Sequence, residues 1–180
     1  MSVFRAIHIG LHRPWLDPIF LVLSTIGLGG GQAALSLLFA FTKSTRRFVI
    51  PLLVTTAVSG WLVADGLKAL IPRDRPSNLA FAHPQELIYS SSFPSGHTTT
   101  AFAVATMLTF LTWNSRFRLL GQMYFLVAAL IGFSRIYRGV HWPTDVIGGA
   151  CCGVASSCLL YLIFLRFGMP IVDSSGDKAK

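Results

Sequence analysis

The fold class predicted for this chain of 180 residues is all-α: a polytopic membrane bundle of about five transmembrane helices, preceded by an interfacial helix. Two observations predict it. Hydrophobic residues make up 53% of the chain and charged residues only 12%, about half of the roughly 25% usual in soluble domains. The apolar residues also cluster in runs near the roughly 20 residues that a helix needs to cross a bilayer. One bundle over residues 1–170 with a polar tail at 171–180 accounts for the length and leaves no room for a second domain.

The net charge of +8 lies in short loops between apolar runs. That placement favours topology signals, anionic headgroups or an anionic substrate. No RNA-binding motif is present, and nucleic acid is not an expected partner.

In chain order, residues 2–13 read as an amphipathic helix lying in the interface, with Phe4, Ile7 and Leu11 on one stripe and Trp15 at headgroup level. His8 and His12 are spaced as two metal ligands could be, but no third lies nearby, so a wet interfacial face is the expectation. The chain start through Asp17 is too polar for the apolar core of a signal peptide. A first span, 18–41, is interrupted by Gly27 and Gly29 to Gly31, which predicts a kink or a close helix contact. A second covers 48–67 and ends near Asp65 and Lys68; a polar loop, 71–93, follows. The third span, 95–113, and the fourth, 119–133, are short, and the fifth runs over 145–165. Cys151, Cys152 and Cys158 fall in this last run, where small apolar filler is the expectation.

Five spans put the termini on opposite sides. Lys43, Arg46, Arg47, Arg116, Arg118, Arg166, Lys178 and Lys180 then share one side, which the positive-inside rule assigns to the cytoplasm. The same count brings three polar stretches to the other face: Lys68 to Arg75, Pro94 to His97, and Ser134 to Asp145. Ionisable residues at a membrane edge are costly, and their convergence predicts a site.

The chemistry of that site follows from its residue types. Lys68, Arg75 and Arg135 suit a phosphoryl group with about two negative charges, and arginine adds a fork that matches phosphate oxygens. Ser95 is a good N-cap, and Gly96 lets backbone approach a ligand at a helix N-terminus that favours anions. Trp142-Pro143 suits a helix start, placing His141 at its mouth and Asp145 four residues on, where it can fix the imidazole tautomer. His141 is then the candidate nucleophile, and His97 the candidate acid and base. The scheme needs no metal or other cofactor, and no carboxylate cluster suited to magnesium is evident.

Taken together, Lys68-x6-Arg75-Pro76, Pro94-Ser95-Gly96-His97 and Ser134-Arg135-x5-His141-x3-Asp145 resemble the three signature motifs of the type 2 phosphatidic acid phosphatase (lipid phosphate phosphatase) superfamily. The resemblance implies a magnesium-independent membrane phosphatase working through a phosphohistidine. It implies that His141 is the nucleophile, Asp145 its partner, His97 the general acid, and Lys68, Arg75, Ser95, Gly96 and Arg135 the phosphate ligands. Many members have six spans, and this chain lacks the first; its short N-terminus is more similar to the compact undecaprenyl diphosphate phosphatases. The expected substrate is therefore a lipid phosphate, with undecaprenyl diphosphate preferred over phosphatidylglycerophosphate, phosphatidate and a lipid A phosphate. The expected location is the cytoplasmic membrane, with the site on the outer face.

Other readings stay open at this level. His141 with Asp145 could be a plain interfacial ion pair, and His97 a satisfied helix-cap histidine. Arg73 and Arg138 could contact headgroups or support the phosphate ligands. Asp65 fits a structural pair with Lys68, while His83 and Glu86 default to solvent, with headgroup selection as the alternative. A vanadate-dependent haloperoxidase uses a similar anion pocket but resembles large soluble proteins, and a non-catalytic lipid-binding or transport protein could keep an anion site without both histidines.

Overall fold

The computed structural model describes residues 2–167. Met1 and residues 168–180, including Lys178 and Lys180 of the charge argument, lie outside the described residues. Among the described residues the chain is helical, with no strand. Helix α1 (Ser2–Arg5) winds on as a π-helical turn, Ala6–Gly10. Helices α2 (Asp17–Gly27) and α3 (Gly29–Leu37) follow; α4 (Val49–Ala57) and α5 (Gly66–Leu70) are joined by a π-helical stretch, Val58–Asp65. The last three are α6 (Gly96–Thr112), α7 (Arg118–Tyr137) and α8 (Pro143–Arg166).

Among the described residues, three helices are long and apolar enough to cross a membrane: Arg46–Leu70, Arg118–Tyr137 and Pro143–Arg166. A fourth crossing is reached if Pro14–Gly27 and Gly29–Phe41 form one broken span, bent by 75°. The break falls at Leu28, whose extended backbone (φ −58°, ψ 147°) cannot continue a helix, so the glycine-rich interruption is the expected kink. The third expected span, 95–113, is not among them. Helix α6 is only 17 residues long and is enclosed by its neighbours, with twelve of its residues buried.

That enclosure explains the composition of α6. Thr99, Thr106, Thr109 and Thr112 each donate a hydroxyl hydrogen bond to the carbonyl four residues earlier. Polar side chains thereby satisfy themselves within the helix, as an apolar setting requires. Helix α8 packs directly on α6 through small residues. A Cβ on Gly153 would lie 2.3 Å from the Thr99 carbonyl oxygen, and one on Gly149 would lie 2.8 Å from that of Ser95. Backbones this close are a recurring basis of helix association in membranes. Away from the polar loops, Phe48, Leu52, Met107, Leu108 and Phe164 form an apolar core. Leu62, Ile147, Leu159 and Leu162 point outward. Cys151 also faces outward, and Cys152 and Cys158 are half-buried, so these thiols sit on the lipid-facing side of α8 rather than in the core.

The N-terminal segment differs from expectation. His8 is buried rather than wet: its Nδ1 lies 2.8 Å from the Tyr137 carbonyl oxygen, and its Nε2 accepts from the His83 amide at 3.0 Å. Phe4 is fully buried and packs on both His8 and Trp142. Leu11 is exposed, so the expected apolar stripe is split between core and surface. The turn after α7 explains the fit. Gly139 adopts φ +77°, a conformation few residues other than glycine tolerate, and a Cβ there would strike the His8 ring at 2.6 Å.

Candidate active site

Helix α7 extends about one turn beyond the span expected to end at residue 133, so Ser134 and Arg135 lie inside its last turn. Arg135 is thereby carried into the bundle, with no exposed surface. After the Gly139 turn, Trp142 occupies the N-cap position of α8, and the Asp145 carboxylate closes back on it, Oδ2 accepting from the Trp142 amide at 2.8 Å. This capping contact holds Asp145 toward His141. His141 Nδ1 lies 3.4 Å from the same Oδ2 without hydrogen-bond geometry, so the carboxylate faces the ring closely but does not make the direct bond expected. His141 precedes the first turn of α8, which leaves the ring slightly displaced from ideal i, i+4 geometry.

The other ring nitrogen faces Arg75. Nη1 of Arg75 is 3.2 Å from His141 Nε2, which fits a tautomer with the proton on Nδ1, facing the carboxylate. Arg75 also donates to the carbonyls of Val140, Ser90 and Ser91 and to the Ser90 hydroxyl. Its five N–H donors are thus matched by five acceptors. Burial, opposed by Asp145 and reinforced by the Arg75 and Arg135 charges, pushes the His141 pKa down to about 4. The imidazole is therefore neutral at physiological pH, the form a nucleophile needs.

The second motif lies beside it. The Ser95 amide donates to the Asp145 carbonyl at 3.0 Å, tying the start of α6 to the first turn of α8. Ser95 holds the N-cap position, yet its side chain makes no capping bond; Oγ instead accepts from the Thr98 hydroxyl. The expected serine cap is thus corrected to a backbone role, because a neighbouring hydroxyl competes for Oγ. At Gly96 a Cβ would come 3.2 Å from Lys68 Nζ, so the missing side chain gives the lysine its place at the helix mouth. Lys68 is paired with Asp65 at 2.7 Å, as the three-residue spacing suggests. His97, one residue on, lines an apolar cavity of about 500 Å³ that also meets the α2–α3 break, Ala57, Trp61 and Asp65.

Two residues left open by the sequence enter the site. Arg73 donates to Asp145 Oδ1 at 2.7 Å. Glu86 takes Arg135 in a bidentate pair, at 2.8 and 3.0 Å, and accepts from Arg138 Nε at 2.8 Å. Burial alone would raise the Glu86 pKa, but the two guanidiniums outweigh it and hold the carboxyl at about 2. Arg138 is buried on this pair and on Gln85, so headgroup contact is not its role here. The available signal for both was charge: in a chain with 15 basic and 7 acidic residues, each acid near a polar stretch is a candidate counter-ion for a buried arginine. Among the described residues, no group of three or more His, Cys, Asp or Glu side chains is placed to hold a metal ion.

The arrangement is a neutral imidazole with one nitrogen toward a carboxylate and the other toward a guanidinium, ringed by further cations. It can deliver a nitrogen nucleophile to an electrophile carrying anionic oxygens. The model of one protein family, described as the PAP2 superfamily, matches residues 48–169. The YbjG protein of Escherichia coli strain K12 is 34% identical over 125 residues, 68% of this chain, which spans 60% of that protein's length. Undecaprenyl-diphosphatase BcrC of Bacillus subtilis strain 168 is 27% identical across 96% of this chain and 87% of its own. The crystal structure of a transmembrane PAP2-type phosphatidylglycerolphosphate phosphatase from Bacillus subtilis superposes with a TM-score of 0.73 at 28% identity, covering 92% of this chain and 86% of that one.

Proposed function

This chain belongs to the PAP2 superfamily, and from that premise we propose that it is an integral-membrane lipid phosphatase acting through a phosphohistidine. The observation that carries the reading is the His141 ring held between Asp145 and Arg75. His141 Nε2 attacks phosphorus in line, forming the N–P bond as the bond to the leaving oxygen breaks; Nδ1 keeps its proton toward Asp145. The incoming phosphoryl group draws Arg75 from Nε2 to its own oxygens, where Lys68, Arg135 and the backbone at Ser95 and Gly96 also stabilise charge. His97 protonates the leaving oxygen, then takes a proton from the water that attacks phosphorus, releasing inorganic phosphate and regenerating the imidazole.

The substrate is a lipid, because the cavity reaching Gly96 and His97 is walled largely by apolar residues and glycines and is of the size that holds a small ligand or part of a chain. Undecaprenyl diphosphate is preferred, supported by the match to BcrC over nearly the whole chain. Phosphatidylglycerophosphate, phosphatidate and a lipid A phosphate are the alternatives, since the phosphate ligands read only the phosphoryl group. Helix α6 serves as a fifth, enclosed span, of about 26 Å at 1.5 Å per residue. With that count, the positive-inside rule places the catalytic face outside the cytoplasmic membrane.

The test is phosphate release from a panel of lipid phosphates in detergent with EDTA, comparing wild type with His141→Ala. Activity in the variant would overturn the nucleophile assignment, and EDTA inactivation would overturn the metal-free scheme. Binding without phosphate release would point to a transport or binding protein instead.

A further inference from the structure

Arg135 is assigned to phosphate, yet much of its guanidinium is already engaged. Glu86 Oε1 and Oε2 accept from Nη1 and Nη2, the end-on face of the fork. The second Nη1 hydrogen turns to the Ser24 hydroxyl, which also approaches Glu86. What is left is the side-on edge, Nε–H and the Nη2 hydrogen beside it. Nε is buried and has no partner among the protein groups, and the guanidinium has no exposed surface. Glu86 is itself fixed from outside the site: Arg138 donates to it, and the neighbouring Gln85 is bonded to Arg138 and Asp17.

We propose that Glu86 is a positioning residue for phosphoryl transfer, clamping the end-on face of Arg135 so that its Nε edge is presented to a phosphoryl oxygen. This rests on the phosphatase reading. The geometry has two consequences. An arginine side chain carries about 2 kcal/mol of rotamer entropy, and the clamp removes that freedom before substrate arrives, so the fork is preorganised. Glu86 also offsets one of the two positive charges of Arg135 and Arg138, which eases the repulsion between buried Arg135 and the nearby Arg75. A carboxylate serving only to anchor the outer loop would have no reason to leave one defined edge of a buried arginine unbonded.

The experiment is a double-mutant cycle on the full chain in detergent, with farnesyl diphosphate as substrate probe and inorganic phosphate as inhibitor. Glu86→Gln keeps the shape and one acceptor but loses the charge and the bidentate grip. It is expected to lower kcat/KM by about 10- to 100-fold, chiefly through kcat, and to weaken phosphate inhibition. Ser24→Ala, which removes a smaller contact to the same guanidinium, is expected to act in the same direction with a smaller loss, and it keeps the test intact should Glu86→Gln misfold. In an Arg135→Lys background, where no fork remains, Glu86→Gln is expected to add less than about 3-fold. Full multiplication of the two losses would overturn the inference, as would faster turnover or tighter phosphate inhibition in Glu86→Gln, which would make Glu86 a competitor for the phosphate seat. If the wild type released no phosphate from any lipid phosphate, the phosphatase reading would fall. The same cycle read by inorganic phosphate binding would then decide the clamp separately.

Discussion

Arg73 lies outside the residues that bear the reaction, yet its Nη1 is 2.7 Å from Oδ1 of a fully buried Asp145. Replacing it with methionine keeps most of the volume and removes the charge. At that distance and an effective dielectric of about 20 the bare attraction is about 6 kcal/mol. Arg73 is 36% exposed, and solvent screening with side-chain ordering reduces this to about 1–3 kcal/mol of net stabilisation. The lost charge also acts on His141. Its pKa is held near 4, with burial the main cause and Asp145 opposing. Without Arg73, Asp145 is less compensated and holds a proton on His141 more firmly, so the His141 pKa rises. The acid limb of kcat/KM against pH then moves to higher pH, and kcat/KM on its plateau falls by about 10- to 100-fold, as expected when an oriented carboxylate loses its outer partner. Stability carries the same sign. In the wild type the folded chain binds fewer protons at His141 than the unfolded chain between about pH 4 and 6.5, so this group costs stability as pH falls through that window. In Arg73→Met the window narrows from its lower end. The assay is phosphate release against pH for wild type, Arg73→Met and Arg73→Lys, the lysine variant recovering part of the loss because it restores charge without the fork. An unchanged acid limb and plateau in Arg73→Met would refute the reasoning.

Two further outcomes follow from the packing. Ala57→Phe, on the exposed rim of the apolar cavity, is expected to raise KM for a long-chain lipid phosphate at least several-fold while leaving a short water-soluble phosphate ester unaffected; equal effects on both would mean that the lipid chain lies elsewhere. Gly153→Leu places a Cβ 2.3 Å from the Thr99 carbonyl oxygen and is expected to destabilise the α6–α8 pair by about 1–3 kcal/mol or more. A melting midpoint in detergent equal to wild type would show that the two helices are free to separate there.

What could be read without coordinates is what depends on neighbours in sequence. Runs of apolar residues, the glycines that break the first of them, the Asp65–Lys68 spacing and the proline that starts α8 are all local. Local physics of hydrogen bonding and hydrophobicity therefore makes them visible. The three motifs belong to the same class, because each is a short segment at one helix mouth.

The limits of that reading are equally physical. Helix α6 reads as a span by its apolar run, but its enclosure depends on which helices surround it. His8 has the pattern of a wet interfacial residue, and only the fold of α1 against the Gly139 turn makes it a buried acceptor. Sequence by itself determined which residues have side chains suited to attack, proton transfer and anion binding, and that they stand at the mouths of apolar helices. Tertiary structure decided which carboxylate compensates which cation. Arg73 meets Asp145 across 72 positions, and Glu86 meets Arg135 across 49. A charge removed from water must find a partner, but the identity of that partner depends on which loop the bundle folds over it, and no spacing along the chain encodes that.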